Sequence, residues 1–169
     1  MRLHLGCGRR YISGWTNIDA VCIPGYPSPD LVTDKLHSLP YKDGSISEIM
    51  AIHLFEHIYP QDADKHLREW FRLLAPGGKL ILEMPDVYKS AKNLVKEIDS
   101  GVSPSNKWSM WPIYGDNPDG TEYDCHKWGW TYKTLAPLLF TAGFENVIER
   151  FPEFHGAKLN RDFRIEGTK

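Results

Sequence analysis

The sequence predicts an α/β fold in which a mainly parallel β-sheet is covered on both faces. One observation predicts this fold, and two more set the number of domains and the class of protein. Strand-like and helix-like segments alternate along the chain. The length of 169 residues suffices for one domain with a proper core, so we expect a single domain over residues 1–169. Hydrophobic residues make up 41% of the chain and charged residues 25%, as in an ordinary globular protein.

Four short strands are predicted in the first third of the chain, over Arg2–Leu5, Trp15–Ile18, Leu31–Thr33 and Glu48–Ile52. The first three end at Gly6-Cys7-Gly8, at Asp19 and at Asp34. Ligands of such sheets bind at the carboxyl ends of the strands, so these residues are expected to share one edge.

The remaining elements follow from helical spacing and helix end signals. Asp62 is placed to cap a helix that runs to about Leu74 and ends before the turn Ala75-Pro76-Gly77-Gly78. A second helix is predicted over Val87–Ser100, and a third over Thr131–Ala142 between an N-cap at Thr131 and a stop at Gly143. The further strands are Lys79–Met84 and a pair, expected to be antiparallel, over Phe144–Arg150 and Asp162–Glu166. Gly101–Asp124 is predicted to be a long loop.

Charge and composition exclude several kinds of partner. The net charge is −2 and no long basic run occurs, so we expect no duplex nucleic acid. No apolar stretch approaches the roughly 18 residues that span a bilayer, and the start, MRLHLGCG, lacks an apolar signal core. Three scattered cysteines do not form a disulfide framework, which favours a reducing, cytoplasmic setting.

The strand ends carry the first chemical signal. A glycine pair after a strand lets the backbone approach a ligand, although Gly6-Cys7-Gly8 alone also fits an ordinary tight turn. Asp19 could accept both hydroxyls of a ribose or could cap a turn, and Asp34 could reach an adenine or be structural. Three consecutive strands that end in this way favour a ligand site.

These pieces, with others in the same order, resemble the class I S-adenosylmethionine-dependent methyltransferases, and most closely a compact subgroup with a shortened glycine-loop connection. The resemblance covers nearly the whole chain and rests on LHLGCG (3–8), GWTNID (14–19), HLFEHI (53–58), RLLAPGGKL (72–80), MPD (84–86) and the segment 126–144. It implies a Rossmann-like, doubly wound, mostly parallel seven-stranded sheet with an antiparallel last strand. It also implies methyl transfer from S-adenosyl-L-methionine.

Carried over by position, the resemblance implies a cofactor site. The glycine pair would approach the methionine part, the acid after the second strand would hold the ribose, and the segment after the third strand would line the adenine. The residues implied are Gly6, Cys7, Gly8, Asp19, Ala20, Asp34, Leu36 and His53.

The connection from the glycine pair to the ribose acid is shorter than is usual in that family. Only residues 9–18 separate Gly8 from Asp19, so a helix there is about one turn at most and its N-terminus is weak support for a carboxylate. We hypothesise that Arg9 or Arg10 supplies the missing positive charge; the alternative is that both are solvated.

Acid–base candidates near the same edge are His53, Glu56, His57, Asp86 and His126. Of these, His57 and His126 are predicted to be catalytic, and Tyr114 and His126 to contact the substrate; the alternative is that they cap, pack or order the long loop. The order His-Leu-Phe-Glu-His differs from the His-Glu-x-x-His zinc motif, so no metal is predicted, although Cys125 and His126 could complete four ligands.

Aromatic residues concentrate in one part of the chain, where they could form a stacking wall for a sugar or base or could anchor the long loop: Trp108, Trp111, Tyr114, Tyr123, Trp128, Trp130 and Tyr132. The predicted function is methyl transfer to a small-molecule or saccharide-like acceptor. The acceptor site would be covered by the loop over residues 101–130, by a second subunit in a homodimer, or not at all. The alternative is a catalytically degenerate binding module. A nicotinamide-dependent oxidoreductase is disfavoured because the third glycine of its motif is missing.

Overall fold

A seven-stranded sheet forms the centre of the computed structural model, which describes residues 1–103, 106–116, 122–154 and 160–169. The strand order is β3-β2-β1-β4-β5-β7-β6. The strands are β1 (Arg2–Leu5), β2 (Thr16–Asp19), β3 (Leu31–Val32), β4 (Ile46–Ile52), β5 (Leu74–Pro85), β6 (Glu145–Arg150) and β7 (Asp162–Thr168).

The strand directions confirm the predicted sheet. β1 pairs in parallel with β2 and β4, β3 with β2, and β5 with β4. β7 runs antiparallel between β5 and β6. The strand order reverses between β1 and β4, and such a switch point is where α/β sheets place their ligands.

Four α-helices accompany the sheet in the described residues: α1 (Ala63–Leu73), α2 (Val87–Asp99), α3 (Trp111–Tyr114) and α4 (Tyr132–Ala142). Leu67 and Trp70 of α1 and Leu135 and Leu139 of α4 join one large hydrophobic core with β1, β4 and β5. Both helices therefore lie on the same face. Thr131 and Gly143 bound α4 as predicted, the first through a capping box and the second in the left-handed conformation.

The opposite face of the sheet has a different cover. Met50, Ile52 and Ile81 form a smaller buried cluster there, against which Ile12, Trp15 and Phe154 pack. These three come from irregular segments rather than from helices. The predicted double cover is therefore present, but on this face it consists of loop side chains.

Three local predictions need correction. Asp62 precedes α1 but makes no side-chain cap, because its backbone is already helical. Residues 101–124 are not simply a loop, since their described parts contain a π-helical turn over Asn106–Met110, α3 and a 3-10 turn over Glu122–Asp124. β5 starts at Leu74 rather than Lys79, because Leu74 pairs with Ile46 before an irregularity in the register. None of the described helices is long and apolar enough to cross a membrane.

Candidate functional site

The glycine pair forms a tight turn at the carboxyl end of β1. Gly6 and Gly8 both have positive φ, 64° and 50°. A Cβ at Gly6 would lie 2.8 Å from Cδ1 of Leu54, whereas a Cβ at Gly8 would meet no atom within 4 Å. Gly6 is thus required by packing, and Gly8 borders open space in which a ligand can approach the backbone.

Asp19 at the end of β2 faces this turn. Its Oδ2 accepts a hydrogen bond of 2.7 Å from the backbone N–H of Gly8, and its Oδ1 accepts one of 3.3 Å from Val21. The side chain is half-buried. The carboxylate is therefore oriented at the edge of the open space beside Gly8, where it keeps lone pairs for a further donor.

Asn17, which the sequence analysis did not single out, organises the short connection between β1 and β2. Its buried side chain bonds to both backbone groups of Ile12, to the carbonyl of Trp15 and to Nδ1 of His4. These contacts replace the helix that would otherwise support the turn. In the sequence, the one sign of this role is that a polar residue occupies a strand position whose side chain should face the core.

Arg9 and Arg10 are both engaged with aromatic rings. The guanidinium of Arg10 lies 4.4 Å from the ring centre of Phe154 and donates to the Phe154 carbonyl at 3.0 Å. That of Arg9 lies 5.6 Å from the ring centre of Tyr26. Arg10 thus holds Phe154, which packs against the smaller buried cluster on the second face of the sheet. Arg9 is the arginine adjacent to Gly8 in the chain.

The other predicted cofactor residues surround the same edge. Cys7 is buried in the turn, and burial followed by the charge of Asp19 raises the pKa of its thiol to about 12. Ala20 is half-buried and Asp34 exposed directly after their strands. Leu36 lies in the large core, where its carbonyl accepts from the indole of Trp70 at 3.0 Å, so its side chain packs inward.

His53 stands immediately after β4 in a left-handed conformation, with φ of 52°. Its Nδ1 lies 3.2 Å from Oε1 of Glu56 and its Nε2 lies 3.6 Å from Oδ2 of Asp162. Burial alone would lower the pKa of His53, but pairing with Asp162 and Glu56 outweighs burial and raises it to about 9. Positive φ in a non-glycine residue is strained and is concentrated at functional sites.

His57 and His126 meet at this edge although they are far apart in the chain. Their ring centres are 4.8 Å apart, with the ring planes nearly perpendicular. The segment after His126 is bonded to the turn that carries His57, since Lys127 and Trp128 both donate to the carbonyl of Glu56. The structure therefore brings together the two residues predicted to be catalytic.

Glu56 lies under these histidines with 2% of its surface exposed. Its Oε1 is 3.9 Å from Nε2 of His126, and no hydrogen bond of good geometry reaches either carboxylate oxygen from the described residues. Burial alone would raise the pKa of Glu56, but pairing with His53 lowers it to about 2. Asp86, by contrast, accepts from the backbone N–H groups of Tyr88 and Lys89 and is the N-cap of α2.

The aromatic residues divide into two groups. Trp130 is buried in the core and Tyr132 packs against it, which supports the anchoring interpretation for these two. Tyr114 is 65% exposed at the end of α3, and its carbonyl accepts a hydrogen bond of 3.1 Å from the backbone N–H of His126. Four more of the seven aromatic side chains singled out in the sequence are also exposed, those of Trp108, Trp111, Tyr123 and Trp128.

A family model described as a methyltransferase domain matches residues 16–82, beginning after the glycine turn. A probable S-adenosylmethionine-dependent methyltransferase from Mycolicibacterium smegmatis is 28% identical over 134 residues, which cover 79% of this chain and 42% of the relative. Norajmaline N-methyltransferase from Rauvolfia serpentina is 41% identical over 51 residues, covering 30% and 16%. The chain thus spans less than half the length of both curated relatives.

The fold is also found among solved structures. One is the 1,6-didemethyltoxoflavin-N1-methyltransferase of Burkholderia thailandensis with bound 1,6-didemethyltoxoflavin and S-adenosylhomocysteine. It aligns with a TM-score of 0.62 over 99% of this chain and 70% of that chain, at 16% sequence identity. At this identity the likeness supports the shared fold alone.

Proposed function

We propose that the chain is a class I S-adenosylmethionine-dependent methyltransferase and that it methylates a small-molecule or saccharide-like acceptor. The observation that carries the proposal is the pairing of the Asp19 carboxylate with the backbone N–H of Gly8 beside open space. The pairing holds the Asp19 carboxylate, which can accept hydrogen bonds, at the place where the ribose hydroxyls of the cofactor would lie.

The residues at the edge fit the cofactor. Gly6, Cys7 and Gly8 would hold its methionine part, and Asp19 and Ala20 its ribose. Asp34 and the backbone around Leu36 would border the adenine, and His53 would lie beneath the methionine. Arg9 would be near enough in sequence to face the carboxylate. S-adenosylmethionine, when bound, supplies an activated methyl group.

The chain itself would hold the acceptor in line with the methyl group and exclude water. In well-oriented reactions, such positioning lowers the activation free energy by about 7–11 kcal/mol. Where the acceptor must lose a proton, His57 and His126 are the proposed proton acceptors. Burial lowers the pKa of His126, which favours the neutral imidazole that can accept a proton. Tyr114 and His126 would contact the acceptor.

The class of acceptor is proposed from two sources. The curated norajmaline N-methyltransferase and the structurally similar toxoflavin-pathway enzyme are named for small molecules. Tyr114, whose backbone is bonded to His126, and Trp128, two residues after it, have exposed aromatic rings on which a sugar or a heterocycle can stack. A net charge of −2 does not favour duplex nucleic acid. We further propose that residues 1–169 act as one domain in the cytoplasm, with a homodimer as a means of covering the acceptor side.

Thermal melting with added ligands tests the proposed function. S-adenosylhomocysteine at 100 times its dissociation constant should stabilise the folded protein by about 2.7 kcal/mol. For a chain of this length the melting temperature should rise by about 5–10 °C. NAD at the same concentration should leave it unchanged. A chain that responds to neither ligand would be the degenerate module and would contradict the proposal.

A further inference from the structure

We propose that Glu56, His57 and His126 form a binding site for one divalent transition-metal ion of the zinc type. One potential ligand atom from each of the three side chains lies within 4.8 Å of the other two. Two nitrogens and one carboxylate oxygen are a donor set that zinc uses in sites with an open fourth position. The spacing of His53 and His57 in the sequence suggested a different pair, and it is the fold that substitutes His126 for His53.

Hydrogen bonds fix the tautomers of both histidines in the form that binds metals. Nδ1 of His57 lies 3.2 Å from the carbonyl oxygen of Cys125, and Nδ1 of His126 lies 3.1 Å from that of Pro112. A carbonyl oxygen can only accept, so each Nδ1 carries the hydrogen and each Nε2 keeps its lone pair. Metal-binding histidines typically make this second hydrogen bond to a backbone carbonyl or a carboxylate.

The carboxylate of Glu56 gives the independent second observation. It is 98% buried, and neither of its oxygens receives a well-aligned hydrogen bond from the described residues. The ion pair with His53 offsets part of the cost of burying this charge, and a buried carboxylate oxygen that still lacks a hydrogen bond is one that a metal ion can satisfy. His53 contacts Oε1, at 3.2 Å, and Oε2 makes no hydrogen bond to the described residues.

The present separations require a modest contraction on binding. Bonds of about 2.0–2.1 Å to nitrogen and oxygen place tetrahedral ligands about 3.4 Å apart. Oε1 of Glu56 and Nε2 of His126 are now 3.9 Å apart and no two ligand atoms are more than 4.8 Å apart, so binding would draw them together by up to about 1.4 Å. Imidazole and carboxylate ligands suit zinc, and also iron, nickel and copper, better than they suit calcium.

An ion at this place would adjoin the acceptor side of the proposed cofactor site. If the proposed function holds, the ion would take the Nε2 lone pairs of His57 and His126 and replace them as the means of activating the acceptor: its open position would bind the acceptor oxygen or nitrogen and lower its pKa, as zinc does for water. Metal binding itself does not depend on methyl transfer, so the two can be tested apart.

The experiment is a Zn²⁺ titration of the whole chain after removal of metals with EDTA, followed by calorimetry, and repeated with Co²⁺ for its visible absorption. We expect one ion per chain and a Co²⁺ spectrum of tetrahedral type. His57→Gln and His126→Gln should each weaken Zn²⁺ binding more than about 100-fold, because even partners that merely orient a ligand contribute about 10- to 100-fold.

Two controls keep the result interpretable. His37→Gln, outside the cluster, and Cys22→Ser, which removes an exposed thiol, should bind Zn²⁺ as the wild type does. Circular dichroism and S-adenosylhomocysteine binding in EDTA report whether each variant is folded. A wild type that binds no Zn²⁺, or folded histidine variants that bind it equally well, would overturn the proposed metal site. Intact S-adenosylhomocysteine binding in that case would leave the proposed function standing.

Discussion

At the residue scale, the two glycines of the turn should respond differently to the same substitution. Gly6→Ala adds a Cβ in contact with Leu54 at a positive φ, so we expect a loss of about 2–4 kcal/mol in unfolding free energy. Gly8→Ala places an alanine in the left-handed backbone region, which costs about 1–2 kcal/mol, but its Cβ would meet no atom within 4 Å. Its methyl group would enter the space proposed for the cofactor and should weaken S-adenosylhomocysteine binding at least about tenfold, a cost of roughly 1.4 kcal/mol. Denaturant unfolding and calorimetry measure the two effects.

Gly101→Ala is the matched control for Gly8→Ala. Gly101 also has positive φ, 72°, and nothing within 4 Å of an added Cβ, but it follows α2 and is not part of the glycine turn. It should show the same loss of stability without a change in affinity. Equal affinities for the two variants would mean that the space beside Gly8 is not the cofactor site.

Asp162 should contribute to the acid sensitivity of the protein. Burial alone would raise its pKa, but pairing with His53 and Arg161 outweighs burial and lowers the pKa to about 2. Because the folded-state pKa is below the unfolded value, this stabilisation is present above about pH 4 and is lost as the pH falls toward 2. Asp162→Asn should therefore cost about 2 kcal/mol near neutral pH, and less at about pH 3, in denaturant unfolding at each pH.

The exposed Asp99 provides the comparison for that pH series. Asp99→Asn should change the unfolding free energy by less than about 0.5 kcal/mol throughout. If Asp162→Asn gave the same loss at every pH, the variant would be acting through packing and not through the ionised carboxylate.

At the element scale, α2 tests whether Asp86 is a helix cap or an acid–base group. Its carboxylate accepts from two backbone N–H groups at 2.9 and 3.1 Å. Asn is as good an N-cap as Asp, so Asp86→Asn should keep both stability and methyl transfer, whereas Asp86→Ala should lose about 1 kcal/mol of stability. Thermal unfolding of the two variants decides this. Loss of methyl transfer in a fully stable Asp86→Asn protein would instead assign Asp86 to the chemistry.

The elements that the sequence predicts well are those with strong local end signals. Thr131 and Gly143 bound α4 because a capping hydroxyl and a left-handed glycine act within a few residues of the backbone they satisfy. The predicted cap at Asp62 is wrong because the backbone of Asp62 is already helical and its carboxylate makes no capping hydrogen bond. The sequence does not predict the short helices between Asn106 and Tyr114, because Asn106, Ser109 and Pro112 disfavour a helix and such turns depend on contacts with α2. One of these contacts is the hydrogen bond from Asn93 to the Trp108 carbonyl.

At the scale of the whole molecule, the strand order was predictable because the resemblance covers nearly all of the chain. The cover of the second face was not, since Ile12 and Phe154 come from segments with no periodic pattern. The contact between His57 and His126 was likewise not predictable from local sequence patterns. Residues so far apart in the chain are brought together only when the segment before α4 packs on the turn after β4. Each residue was predicted as a candidate, but their arrangement around Glu56 was not.

The central claim is that the carboxyl edge of the first two strands binds an adenosyl group through Asp19. Calorimetric titration of S-adenosylhomocysteine into the wild type and into Asp19→Asn tests it most directly. We predict one site in the wild type. Loss of hydrogen bonds to a charged group, worth about 1.5–3 kcal/mol, should weaken binding in Asp19→Asn about 10- to 150-fold. Absence of binding in the wild type, or equal affinity in a folded Asp19→Asn protein, would contradict the claim.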